Sequence, residues 1–143
     1  MNTSVSESEE WKTVKFDGFM ETIGPVLRQK RENGSNRYGL RVDSRHLNTL
    51  GVVHGGVIIG LLDQVLANEA WAVADRQPLV TIQLDTRFIK AAHAGDFLTC
   101  EANVRRGTRS LVFVDADLLS EQGDLVATAT SIMKIVKKEI ANG

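Results

Sequence analysis

The sequence predicts an α+β fold in which one antiparallel β-sheet packs around a single long helix. Two observations carry this. From Val57 to Val73 apolar residues run too far for a typical strand and cover most of a helical circumference. Beyond Pro78 the pattern changes to period two, broken by glycine-containing turns, and short hairpin loops can only join antiparallel strands. At 143 residues and 43% hydrophobic, the chain has room for one domain with a real core and little for a second. One domain over residues 1–143 is expected, with flexible ends at about residues 1–8 and 138–143.

Composition narrows the function classes. Lys and Arg total 17 against 18 Asp and Glu, so the basic character that nucleic-acid binding needs is missing and no nucleic-acid partner is expected. Cys100 is the only cysteine and cannot form an internal disulfide. The start, MNTSVSESEE, has neither a basic segment nor an apolar one, which makes the cytoplasm the expected location. Asp63, Gln64, Asn68 and Glu69 interrupt the long apolar run, so no membrane span and no membrane partner are expected.

In chain order, Ser6 and Glu9 are spaced as a capping box ahead of Trp11, Val14, Phe16, Phe19 and Met20, which predicts one helix ending near Gly24-Pro25. From Val26 to Arg45 two partly alternating runs flank Glu32-Asn33-Gly34-Ser35, a strong hairpin signal. The central helix is expected over Val57–Ala74, apolar on so much of its surface that other elements should wrap it on nearly every side. A strand follows with Val80, Ile82, Leu84 and Phe88 on one face and Thr81, Gln83, Asp85 and Arg87 on the other. Three more strands are read at Leu98–Val104, Leu111–Leu119 and Leu125–Val136. The turns at Ala94-Gly95-Asp96, Arg106-Gly107-Thr108 and Gln122-Gly123-Asp124 make the strands a meander.

The segment Asn48–Asp63, NTLGVVHGGVIIGLLD, concentrates the chemistry. A glycine-rich turn running into a helix presents free N–H groups to a partly negative oxygen, so Gly55 could polarise a carbonyl. Asp63 stands among Leu61, Leu62, Val65 and Leu66, where a carboxylate must lose water, find donors or change its pKa. His54 and Asp63 are nine residues apart, which puts them on opposite faces and about 13 Å apart along a helix axis. A two-fold dimer could bring Asp63 of one chain to the His54-Gly55 turn of another.

His46-Leu47-Asn48-x-x-Gly51-x-x-His54-Gly55-Gly56, with Asp63 nine residues after the histidine, resembles the signature of the hotdog-fold acyl-CoA thioesterases of the phenylacetic-acid-degradation (PaaI-like) type. The resemblance spans about Arg41 to Lys137 and includes the segment Thr81-Ile82-Gln83-Leu84-Asp85. It implies a hotdog fold and hydrolysis of acyl-CoA thioesters, with no metal and no bound redox cofactor; coenzyme A enters as part of the substrate. Asp63 would be the nucleophile or the general base on water, and Gly55 would donate its N–H to the thioester carbonyl. Asn48 would position water or carbonyl, His54 would order the turn, and Thr81 would support the site through its hydroxyl. Gly56, Gln64, Arg87, Lys90, Arg105, Arg106 and Arg109 are expected on the substrate, the basic ones at the phosphates of coenzyme A. The expected assembly is a homodimer building shared sites, and a homotetramer as a dimer of dimers.

Each residue also has a plain structural reading. Asp63 could be a structural buried carboxylate, Asn48 an ordinary turn residue, Thr81 an outward strand residue, and the arginines solvated hairpin charge. The rival function is a non-catalytic acyl-CoA binding or sensing domain, against which an intact Asp63 argues. A hotdog dehydratase would carry its histidine and acid in a different motif. No metal-ligand spacing, phosphate loop or serine nucleophile elbow is present in the sequence.

Overall fold

In the computed structural model, which describes residues 10–136, the expected N-terminal helix is replaced by strand β1 (Trp11–Val14) and a short helix α1 (Phe19–Ile23). Trp11, Thr13 and Val14 are strand formers. They pair with strand β2 (Val26–Lys30) from Trp11↔Gln29 to Val14↔Val26, and the Trp11 ring meets Phe97 edge-on at 5.1 Å. Gly18, at φ 75°, separates strand from helix in a region other residues avoid. The Ser6–Glu9 capping box and both expected flexible ends fall wholly or largely outside the described residues.

The hairpin around Asn33-Gly34 forms as read, between β2 and β3 (Asn36–Arg41). Asn33 Oδ1 accepts from the Ser35 N–H at 2.9 Å and from its hydroxyl at 2.6 Å. It ends earlier than expected, because a 3₁₀ turn over Ser44–His46, capped by Asp43, takes the chain out of the sheet. The central helix, α2, runs from Gly55 to Val73, starting two residues before the apolar run. Then come β4 (Leu79–Phe88), β5 (Phe97–Gly107), β6 (Leu111–Leu119) and β7 (Leu125–Ile135).

All pairings are antiparallel, in the order β1-β2-β3-β5-β6-β7-β4. β5, β6 and β7 make the expected meander, while β4 pairs with β7 and becomes the sheet's far edge. Four rows of side chains cross the face under α2. One runs Tyr38, Cys100, Leu118, Ala127 and ends on Phe88. The next holds Ala102, Ala116, Ala129 and Thr86, and a third Val104, Val114, Ser131 and Leu84. The last is Gly107, Val112, Met133 and Thr81. The alanine row leaves space for the buried residues of α2, Ile58, Leu61, Leu62, Val65, Leu66 and Ala70.

Two expectations are corrected here. The strand β4 does not alternate throughout: a bulge between Thr81 and Gln83 inserts Ile82, so Thr81 shares the inner face with Leu84, Thr86 and Phe88 while Gln83, Asp85 and Arg87 face outward. Nor is α2 wrapped on nearly every side. The sheet takes one face and α1 part of a flank, which leaves Ile59, Trp71 and Val73 exposed. By length and composition α2 could cross a membrane, but in this fold it lies against the sheet as the core helix.

Candidate active site

The loop before α2 is built by its own polar side chains. Asn48 Oδ1 accepts from the N–H groups of Leu50 (2.9 Å) and Val52 (3.2 Å), and Gly51 at φ 85° closes the turn. The oxygen of Asn48 is therefore used in the turn, as the plain reading held. His46 is buried: its Nδ1 accepts from the Asp43 N–H (3.0 Å) and its Nε2 bonds the Ile23 carbonyl (2.6 Å), which makes Nε2 the protonated nitrogen. Its own carbonyl accepts from the His54 N–H at 2.8 Å. One imidazole thus ties α1 to the loop that starts α2.

His54 caps α2, its Nδ1 accepting from the Gly56 N–H at 2.8 Å. Its carbonyl takes the N–H groups of Val57 (3.0 Å) and Ile58 (3.4 Å). The Gly55 amide, in the first helical turn, has no intrahelical carbonyl to bond and carries the positive end of the helix dipole. It opens on a groove of about 380 Å³ lined by Val52, Val53, Gly55, Ile58, Phe88, Ile89, Lys90, Ala91 and Ala92. The Phe88 ring lies over Gly55 so closely that a Cβ there would meet its Cζ at 3.3 Å. His54 has committed the lone pair on Nδ1 to the cap, which suits a turn-ordering residue better than a proton carrier.

Asp63 lies two turns further along α2, half-buried, and accepts from the Thr81 hydroxyl at 2.7 Å. The bulge makes this bond possible by turning Thr81 inward. Asp63 and Gly55 are eight residues apart on an unbroken helix, about 12 Å along its axis. One chain therefore assembles Asp63 with Thr81, and Gly55 with Gly56 and His54, but does not join the two groups. Gln64 is half-buried beside Asp63.

The basic residues fall at two places, the end of β4 and the β5–β6 hairpin. Lys90 lines the Gly55 groove, with Nζ 2.6 Å from Asp124 Oδ2. Arg87 is on the outer face of β4, in register with Thr128. Arg105 donates from Nε to Asp115 Oδ2 at 2.8 Å across the β5–β6 pair, so it is engaged in the sheet's outer surface. Arg106, just past a second bulge, and Arg109 are exposed at the hairpin end, in line with the Thr81 end of β4. With Arg105 they occupy the β5–β6 hairpin end at which the sequence placed all three.

Three features were not read from the sequence: Phe88 over Gly55, the α1 side chains over α2, and a part-buried polar set behind the helix. In that set the Tyr38 hydroxyl donates to Glu69 Oε2 (2.6 Å) and accepts from Asn68 Nδ2 (2.6 Å). Burial first, then the Glu69 carboxylate, holds the Tyr38 phenol well above its ordinary value. Adjacent polar residues in an apolar helix, Asn68 and Glu69, were the available signal.

The chain is similar to proteins of known family and fold. The sequence profile described as the thioesterase superfamily matches residues 50–127. Human acyl-coenzyme A thioesterase 13 is 23% identical over 114 residues, 79% of this chain and 81% of that protein. The PaaI protein of the Escherichia coli phenylacetic acid degradation operon superposes with TM-score 0.64 at 23% identity, over 71% of this chain and 72% of the other. A hypothetical thioesterase protein of Streptococcus pneumoniae, solved with coenzyme A, reaches TM-score 0.71 at 24% identity, over 82% and 90% of the two chains. With one long helix on a seven-stranded antiparallel sheet, and a profile match over more than half of its length, the chain belongs to the thioesterase superfamily and has the hotdog fold.

Proposed function

We propose that this protein hydrolyses acyl-CoA thioesters to a free acid and coenzyme A, at sites each built by two copies of the chain. The observation that carries this is the placement of the two half-sites at opposite ends of one open edge strand. β4 holds Thr81 against Asp63 at one end and Phe88 against Gly55 at the other. Antiparallel pairing of two β4 edges about a two-fold axis near Leu84-Asp85 would set Thr81 of one chain opposite Phe88 of the second. Asp63 and a foreign Gly55 amide would then face one thioester. A ten-residue edge with Val80, Ile82 and Phe88 exposed is the kind of surface that takes a second strand.

In that site the Gly55 N–H polarises the thioester carbonyl and stabilises the oxyanion that forms from it. Asp63, held by Thr81, either removes a proton from water as the water oxygen bonds to the carbonyl carbon, or attacks that carbon itself to give an anhydride that water then opens. In both routes the C–S bond breaks, the electron pair leaves with the coenzyme A sulfur, and the acid is released. A single turnover in ¹⁸O-water tests the anhydride route, since unlabelled acid with label in Asp63 arises only when water opens an anhydride at the Asp63 carbonyl. The name of the human relative and the coenzyme A bound to the streptococcal protein support the substrate class. The proposal includes a cytoplasmic homotetramer, a dimer of such dimers, that works without metal or redox cofactor, nucleic acid or membrane.

The test is thiol release over a panel of aromatic and straight-chain acyl-CoA substrates. Wild type should turn over at least one, and Asp63→Ala should fold, bind that substrate and lose roughly 10²- to 10⁴-fold in kcat. Binding without release above background in the wild type would favour the sensing domain instead.

A further inference from the structure

The outward side of α2 carries a second feature within reach of Asp63. Gly56, Gly60, Asp63, Gln64 and Ala67 repeat at helical spacing and share the face turned away from the sheet. Onto Gly60, from the flank opposite β4, comes α1. A Cβ at Gly60 would meet Ile23 Cδ1 at 2.9 Å and Phe19 Cε2 at 3.1 Å, so the Phe19 ring rests against bare helix backbone. α1 is anchored independently of that ring. Met20 and Ile23 are buried and His46 Nε2 holds the Ile23 carbonyl, while Phe19 remains 66% exposed.

The Phe19 ring, which the fold neither buries nor needs for anchoring, rests on Gly60, three helical positions before the partly buried Asp63, and so presents an apolar face beside that carboxylate. Side chains three apart on a helix are about 5–6 Å apart at Cβ, so the ring is within one side-chain length of Asp63. Asp63 leans toward Thr81 on the β4 side. A group attached to a carbonyl at Asp63 and directed away from β4 would have to pass over Gly60, where no side chain stands, and would end on Phe19.

We propose that Phe19 is the specificity-determining residue of the acyl site: its exposed face, over Gly60, receives the far end of an arene or of an alkyl chain too long to stop at Asp63. This rests on the thioesterase reading and names the part of the substrate that the N-terminal segment reads. Acetyl groups do not reach the ring. Phenylacetyl and octanoyl groups do.

The experiment compares kcat/KM for acetyl-, butyryl-, octanoyl- and phenylacetyl-CoA in wild type, Phe19→Ala, Gly60→Ala and the double variant, with subunit mass measured for each. Phe19→Ala should lower kcat/KM for the better of the two large substrates about tenfold, the range for losing one methylene-sized apolar contact, and leave acetyl-CoA within about twofold. Gly60→Ala, whose new methyl must displace the ring, should shift selectivity the same way, and the double variant should add little to Phe19→Ala. An equal factor for all four substrates would overturn the assignment while leaving the thioesterase reading intact. So would loss of the assembled mass in Phe19→Ala, which would make the ring a subunit contact. Wild type inert toward every substrate would remove both readings together.

Discussion

Two inactive forms of this protein should restore each other. Take Asp63→Ala, which removes the carboxylate, and Gly55→Val, which fills the space under Phe88, where a Cβ alone would lie 3.3 Å from ring carbon Cζ. The magnitude follows from α2. Gly55 and Asp63 are eight residues apart on a continuous helix, about 12 Å along the axis. A carboxylate and an amide acting on one carbonyl must each come within about 3–3.5 Å of it, so they cannot be much more than 6 Å apart. On the proposed mechanism, each site therefore draws its Asp63 from one chain and its Gly55 from another. In a mixed dimer one site collects both defects and the other neither. Random exchange makes about half of the dimers mixed, each with one intact site of two, so roughly a quarter of wild-type activity should return from parents that each retain about 1% or less. The assay is thiol release at saturating substrate, before and after exchange, with native mass spectrometry following hetero-dimer formation. Complete exchange with activity no higher than the mean of the parents would refute the shared site.

Thr81→Val removes the 2.7 Å bond to Asp63 at nearly constant volume. A hydrogen bond to a charged group contributes about 1.5–3 kcal/mol, so kcat should fall roughly 10- to 100-fold in steady-state assays while the melting temperature shifts little. His46→Ala strips the partners from the Ile23 carbonyl and the Asp43 N–H and empties a buried volume. Denaturant unfolding should show a loss of about 2–4 kcal/mol, whereas an exposed His93→Ala should be nearly silent. Burial, with smaller contributions from Glu101 and Glu69, pushes the Cys100 thiol up to about 12. The native state favours the protonated thiol, so this contribution to stability is intact below the ordinary thiol pKa and declines as pH rises toward the folded value. Between about pH 9 and 10.5 unfolding free energy should drop by on the order of 1–2 kcal/mol. Cys100→Ala should flatten that limb in denaturant titrations, and an unchanged limb would rule the thiol out as its source.

What the sequence disclosed and what it concealed divide along physical lines. α2 was legible because an apolar run of helical length behind two glycines has few alternatives. β5 to β7 were legible because period two and turn residues agreed. β1 was misread because four strand residues at a sheet edge fit a helical spacing of Trp11, Val14, Phe16, Phe19 and Met20 equally well, and only pairing with β2 decides. The phase of β4 was misread for a different reason: alternation has no mark for an inserted residue, so Thr81 was assigned to the face of Gln83. At the candidate site, Asp63 and the His54-Gly55-Gly56 turn stood out as local contrasts of polarity and backbone freedom. Phe88 and Phe19 did not, since an aromatic in an apolar pattern gains its role only from what it is folded against. Arg105 illustrates the same limit, its acceptor Asp115 being set by the β5–β6 register.

The residue inserted at Ile82 gives the chain a rule written in residue count rather than residue type. Thr81 points at α2 and Gln83, two places later, points away, which a regular strand forbids. Deleting Ile82 would make Thr81 and Gln83 neighbours, and neighbours face opposite sides, so the hydroxyl would keep its direction and turnover should survive. Adding one residue between Gln83 and Leu84 would reverse Thr81 instead, with the ladder beyond it untouched, giving a protein that melts normally and works slowly. A chain of this kind can thus shorten by one without penalty at a single point in β4, while a change of one in the count next to it is penalised. Deletion of Ile82 that slowed turnover as much as Thr81→Val would show that the side chain, and not the count, is what this position supplies.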